Sequence, residues 1–148
     1  MRLILTAILL SSVFTSPNFA DDTNDGIVRI QSQYDVATTA DRLIDALNAK
    51  GMTIFARIDH SKNAQDAGME LRPTELVIFG NPKVGTLLMK CSQSVAIDLP
   101  QKALIWKDES GHVWLSYNSP KYLADRHAID NCEETLAKVT GSSAESVG

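Results

Sequence analysis

The chain has 148 residues, 14 Lys and Arg against 18 Asp and Glu, a formal net charge of −4 and 44% hydrophobic residues. That length supports one domain able to bury roughly two thirds of its unfolded surface, and it is short for two. A mildly acidic chain without clustered Lys and Arg is a poor match for a phosphate backbone, which sets nucleic acid aside as a partner.

The opening reads as a secretion signal: Arg2, an apolar run from Leu3 to Val13, and Ser16-Pro17-Asn18-Phe19-Ala20 as a cleavage region before Asp21-Asp22. Asn18 is larger than the usual small residue at that place, so an uncleaved amino-terminal anchor stands as the alternative, although the run is short for a bilayer. Cutting after Ala20 removes one basic residue and leaves 13 against 18 acidic ones, a net charge near −5. Residues 21–26 form a polar leader.

A first strand alternates Val28, Ile30 and Ser32 with Arg29, Gln31 and Gln33. Asp35 then caps a helix whose apolar stripe is Val36, Ala40, Leu43, Ile44 and Leu47, ended by Gly51. Thr53 to Asp59 is a second strand, and Ser61 is placed to cap a short helical piece over Ala64 and Ala67 that Gly68 stops. After Pro73, the unbroken Leu76-Val77-Ile78-Phe79 run suits a buried strand. Asn81-Pro82 opens a helix carrying Val84, Leu87, Leu88 and Cys91, with Gly85 near its start.

Residues Lys102 to Lys107 and His112 to Tyr117 flank Asp-Glu-Ser-Gly at 108–111, a strong hairpin signal. One face of the hairpin carries Ala103, Ile105, Val113 and Leu115; the other carries Leu104, Trp106 and Trp114, an unusually apolar second side. Asn118-Ser119-Pro120 begins a helix to about His127, a last helix runs from about Asn131 to Val139, and residues 141–148 form a Ser- and Gly-rich tail. Residues 27–140 thus make one domain with no internal repeat.

Five blocks carry a family likeness: F-A-R-I-D-H at 55–60, E-L-V-I-F-G-N-P at 75–82, G-T-L-L-M at 85–89, A-I-D-L-P-Q-K-A-L-I-W-K-D at 96–108 and W-L-S-Y-N-S-P-K-Y-L-A-D-R-H at 114–127. In this order they resemble the domain-of-unknown-function family 302, with a weaker likeness from Ile27 to about Val139. The order of elements argues for an α+β two-layer sandwich, an antiparallel sheet with helices on one face. The resemblance implies the same, with a topology similar to the TATA-binding protein, and implies a homodimer. Trp106 and Trp114 would then form a patch for a partner or ligand, or simply core. The family has no settled activity, so the resemblance transfers no catalytic roles.

Cys91 and Cys132 each stand at helical spacing with apolar residues, so they read either as small buried side chains or as a disulfide joining two helices, which would stabilise by about 4 kcal/mol on the chain-entropy model. They are not in a C-x-x-C arrangement, which disfavours redox catalysis. His60 follows Asp59 at the end of a strand, where it caps the Ser61 turn or faces a cleft. His127 closes a helix, where it caps the last carbonyls or joins a site. His112 follows Gly111 in the hairpin turn and should be exposed. Asp98 lies among apolar residues, so it is either paired, for which Lys102 is placed, or turned outward. His60, Asp98, Lys102, Tyr117 and His127 form the proposed ligand-binding group, and Asn118 falls in the same family block as Tyr117.

Met89, Cys91 and the histidines are ligand types that copper would accept, but no compact spacing supports a metal site. Ser116 and Ser119 lack a nucleophile motif, and Gly80-Asn81-Pro82-Lys83-Val84-Gly85 cannot cradle phosphate as a glycine loop does because Pro82 has no amide to give. No cofactor is expected. The reading is an exported, homodimeric, non-catalytic small-ligand-binding or accessory module of the bacterial cell envelope; the alternatives are a small-molecule enzyme using His60, Asp98 and Lys102, and a periplasmic copper carrier.

Overall fold

A computed structural model describes residues 21–22, 25–130 and 132–142 of the chain. The expected secretion signal and most of the expected tail lie outside them, as does Asn131, the expected start of the last helix.

The strands are β1 (Asp21–Asp22), β2 (Ile27–Ser32), β3 (Thr53–Asp59), β4 (Thr74–Gly80), β5 (Gln101–Lys107) and β6 (Val113–Asn118). They form one sheet in the order β1-β2-β6-β5-β4-β3, antiparallel at every pairing. The helices are α1 (Val36–Ala49), α2 (His60–Asp66), α3 (Pro82–Cys91), α4 (Pro120–Arg126) and α5 (Glu133–Ser142), with a 3-10 turn over Gln93–Ile97. This is the expected α+β arrangement. Asp21 and Asp22, read from sequence as part of a loose leader, instead pair with Arg29 and Val28 as a short edge strand.

The α1 stripe works as its spacing dictates. Asp35 accepts the Thr38 amide at 2.7 Å, and Gly51, at φ 70°, turns the chain so that the Met52 amide reaches the Leu47 carbonyl at 3.0 Å. Val36, Ala40, Leu43 and Leu47 bury against Val28, Val77, Phe79, Ala103, Ile105, Val113, Leu115 and Tyr117 on the facing side of the sheet. Full burial of each leucine contributes about 1.5–3 kcal/mol. Arg57 ties this helix to the sheet edge, donating to Glu75 and to Asp41 at 2.5 Å each. Glu75 is almost fully buried, so the guanidinium is what allows its carboxylate to stay there.

Pairing Trp106 with Trp114 and Leu104 with Ser116 confirms the two-sided hairpin read from sequence. The face away from α1 carries Ala56, Ile58, Leu76, Ile78, Leu104, Trp106 and Trp114, all half-buried.

Antiparallel pairing also brings the end of β4, the start of β5 and the end of β6 to one end of the sheet, so that α3, the 3-10 turn and α4 all emerge there. With α5 they enclose a second core of Leu88, Val95, Ile129 and Val139, with Val84, Met89, Leu99, Ala124, Cys132 and Leu136 packed around it. Cys91 and Cys132 are joined as a disulfide across this cluster, Cα atoms 6.5 Å apart. Gly26, at φ 74°, lies so close to the Tyr122 ring that a Cβ would stand 2.4 Å from it, which fixes the β2 entry against α4. Ser61 does not cap α2. Asp59 does, accepting the Lys62 amide at 2.8 Å and the Ser61 hydroxyl at 2.6 Å, so the helix begins two residues earlier, at His60.

Three capping or turn carboxylates are held below their usual 3.8: Asp35 by the Thr38 amide, Asp59 by the Ser61 hydroxyl and then the Lys62 amide, and Asp108 by the Trp114 indole N–H and then the His112 amide. Lowered carboxyl values mean stability that is complete above the unfolded value and is lost as pH falls through the folded ones. Thermal melts should therefore be flat from about pH 7 to 5 and fall below about pH 4, with a shallower fall in D108N; a melting temperature unchanged down to about pH 2.5 would contradict the assignment.

Candidate functional site

The end of the sheet where α3, α4, α5 and the 3-10 turn gather holds both a polar cluster and an apolar groove. In the cluster, Asp98 follows the 3-10 turn and precedes the cis Leu99–Pro100 bond. Its carboxylate meets His127 Nε2 at 2.5 Å and Arg126 Nη1 at 3.3 Å. The imidazole, 6% exposed, places its other nitrogen, Nδ1, 3.0 Å from the Ser94 hydroxyl, while the Ser92 hydroxyl donates to the His127 carbonyl at 3.0 Å. Lys102, expected to pair with the Asp98 carboxylate, instead donates to the backbone carbonyls of Asp98 and Pro100, at 3.2 and 3.1 Å. The 28-residue step to Arg126, not the local lysine, supplies the carboxylate with its cation.

A neutral His127 donating to Asp98 would accept from Ser94, giving the carboxylate–imidazole–hydroxyl order of serine hydrolases with the two ring nitrogens exchanged. Ser94 also lies 3.2 Å from the Ser92 hydroxyl. The contacts chiefly fasten the 3-10 turn to the end of α4.

Of the five residues proposed from sequence, four come to this end. Asp98, Lys102 and Tyr117 line one crevice with Phe79, Gln101, Asn118 and Leu123, and His127 holds the Asp98 carboxylate. The crevice measures about 10 Å³, the space of about one water and no larger ligand. His60 is not in the group. It begins α2 beyond Asp59, which pairs with Glu75 at the opposite end of β4 from Gly80, so its chain direction carries it away from Asp98. A polar depression of about 590 Å³ lies at that far end, bordered by Asp35, Asp59, Ser61, Glu75, Lys107 and His112. Among the described residues no group of three or more His, Cys, Asp or Glu is placed to hold a metal ion.

The groove is the site that sequence reasoning missed. It encloses about 260 Å³ between the sheet end and the helices, with Met52, Phe55, Val84, Met89, Leu99 and Val139 among its walls. These come from four separate segments and share no motif. A register shift between Ile54 and Ala56 marks Phe55, which is 49% exposed at the groove. Gly80 lies where a Cβ would touch both Phe55 and Pro100 at 3.6 Å.

Asp98→Ala removes the acceptor shared by Arg126 and His127 and should cost about 2 kcal/mol in urea unfolding, the scale of a charge-assisted hydrogen bond, whereas Ser94→Ala at the exposed end should cost less than about 1 kcal/mol. Equal and negligible effects of the two would show that the cluster does not fasten the turn.

Against known proteins, the chain is 42% identical over 128 residues to the fluoride-specific ion channel FluC 1 of Brucella suis biovar 1 (strain 1330), covering 85% of this chain and 50% of that protein. The same identity and length hold for FluC 1 of Brucella abortus biovar 1 (strain 9-941) and FluC 2 of Brucella melitensis biotype 1 (strain ATCC 23456 / CCUG 17765 / NCTC 10094 / 16M), each covered over 47% of its length. The chain thus spans about half the length of the curated relatives it matches. In fold it is similar to the crystal structure of an uncharacterized conserved protein DUF302 from Bacillus stearothermophilus, with a TM-score of 0.71 and 16% identity over 80% of this chain and 92% of that one. The family model for the domain of unknown function DUF302 matches residues 28–145, and the chain belongs to that family.

Proposed function

We propose that this chain is exported to the cell envelope and acts there as a non-catalytic accessory and ligand-binding module beside a membrane protein that handles fluoride. The observation that carries this reading is the 42% identity to half the length of proteins named as fluoride-specific ion channels. A helix-built channel needs apolar helices of about 20 residues to cross the bilayer. No helix among the described residues is long and apolar enough to do so. The matched half is therefore read as the part that stands in water, and the unmatched half as the part that conducts. Joining two modules in one polypeptide raises the concentration each sees of the other, so a domain of the matched kind is read as working with the same kind of partner.

Export is supported by the apolar run before Ser16-Pro17-Asn18-Phe19-Ala20 and by the disulfide between Cys91 and Cys132, a bond that persists in oxidising compartments. A homodimer, as the family resemblance implies, would use the sheet face away from α1, a reading supported by Trp106 and Trp114 there, of a residue type that interfaces favour. A second reading, hydrolysis through Ser94, rests on the Ser94–His127–Asp98 order of contacts. Covalent labelling of Ser94 by a fluorophosphonate would favour it over the first.

Fractionation of cells producing the full chain, with intact-mass measurement, should find a form beginning at Asp21 in the periplasm, and deletion of the gene should lower the fluoride concentration that the cells tolerate. A full-length chain in the cytosol with unchanged fluoride tolerance would overturn the reading.

A further inference from the structure

We propose that the groove at the end of the sheet is a binding site for one uncharged apolar group, a hydrocarbon chain of about eight carbons. The assignment rests on the ligand-binding half of the proposed function and names the class of ligand. Size sets the first limit: about 260 Å³ is larger than the ~150 Å³ cavity that holds benzene. Chemistry sets the second. None of the described lining residues is Asp, Glu, Lys, Arg or His, so an ionised group placed inside would meet no counter-charge from them and would keep its desolvation cost.

The polar lining atoms are largely engaged elsewhere. Asn81 Oδ1 accepts the amides of Lys83 and Val84 at 3.0 and 3.3 Å, and the Thr86 hydroxyl donates to the Pro82 carbonyl at 2.7 Å. These bonds cap and close the first turns of α3, and they leave the wall that α3 presents to the groove apolar. Met52 and Met89 add unbranched side chains that can adapt to a ligand's outline. Gly85, on the same helix, keeps the wall open: a Cβ there would reach Leu99 Cδ1 at 3.8 Å, so any longer side chain would enter the space. Phe55, Pro82, Thr86 and Ala96 are among the exposed lining residues, and on their side the polar end of an amphiphile would remain in solvent.

Two sources supply such a group, a free small molecule and the acyl chain of a lipid. The test uses the full chain labelled with ¹³C at its methionine methyls and titrated with a series of straight-chain alcohols. Shifts should appear at Met52 and Met89 and not at Met69, which is 66% exposed in the loop leading to the far end of β4. Affinity should rise about fourfold per methylene from butanol to octanol, the ~0.8 kcal/mol of a buried CH₂ group, and level off beyond. Phosphatidylglycerol vesicles that produce the same shifts identify the lipid source, and vesicles that do not identify the free ligand. Gly85→Leu should weaken octanol binding at least tenfold, while Leu71→Ser, at an exposed apolar residue of that same loop, should leave it unchanged. Absent or uniform methionine shifts, a flat chain-length series, or unaltered binding in folded Gly85→Leu would each overturn the assignment. Selective shifts in a protein that is not exported would leave the site standing and remove only the broader function, and export without shifts would do the reverse.

Discussion

Antiparallel pairing between β4, β5 and β6 is the constraint on which the rest of this molecule depends. It delivers α3, the 3-10 turn and α4 to one end of the sheet, where α5 joins them. The sheet and α1 bury one core; this end builds another, smaller one. Two ties close it: the disulfide between α3 and the segment entering α5, and the Asp98 carboxylate gripped by Arg126 and His127. On the chain-entropy account, a bridge spanning 41 residues contributes about 4 kcal/mol, a large share of the stability of a domain this size.

The groove is a consequence of having two cores. Where one packed cluster meets another, side chains cannot interdigitate as they do inside either, and the glycines at 80 and 85 widen the join instead of filling it. The polar cluster beside it leaves room for about one water and works mainly as a fastening. An apolar recess beside a hydrogen-bonded clasp is the arrangement on which the proposed binding role rests.

Much of the main core was legible in the sequence because its signals are local. The stripe Val36-Ala40-Leu43-Ile44-Leu47 has helical period and a cap at each end, and Asp108 to Gly111 stands between two alternating runs, so neither element needed tertiary information. The second core was less legible. Gln93–Ile97 has too short a run to show a period, and Asp98 draws its partners from residues 28 and 29 positions later, past a lysine that looked better placed. Asp59 and Ser61 are both good caps, and only the backbone decides between them. Met52, Phe55, Leu99 and Val139 meet in one wall through the topology alone, so no spacing in the chain announces the groove.

The central claim is that two separately packed cores share this chain and that the smaller one is held by its cross-links. Amide hydrogen exchange followed by mass spectrometry, on oxidised and on fully reduced protein, tests it directly. Reduction should speed exchange in residues 82–97 and 120–142 while leaving α1 and strands β2 to β6 protected as before. Uniform acceleration across the sheet, or none in the α3 to α5 region, would contradict it.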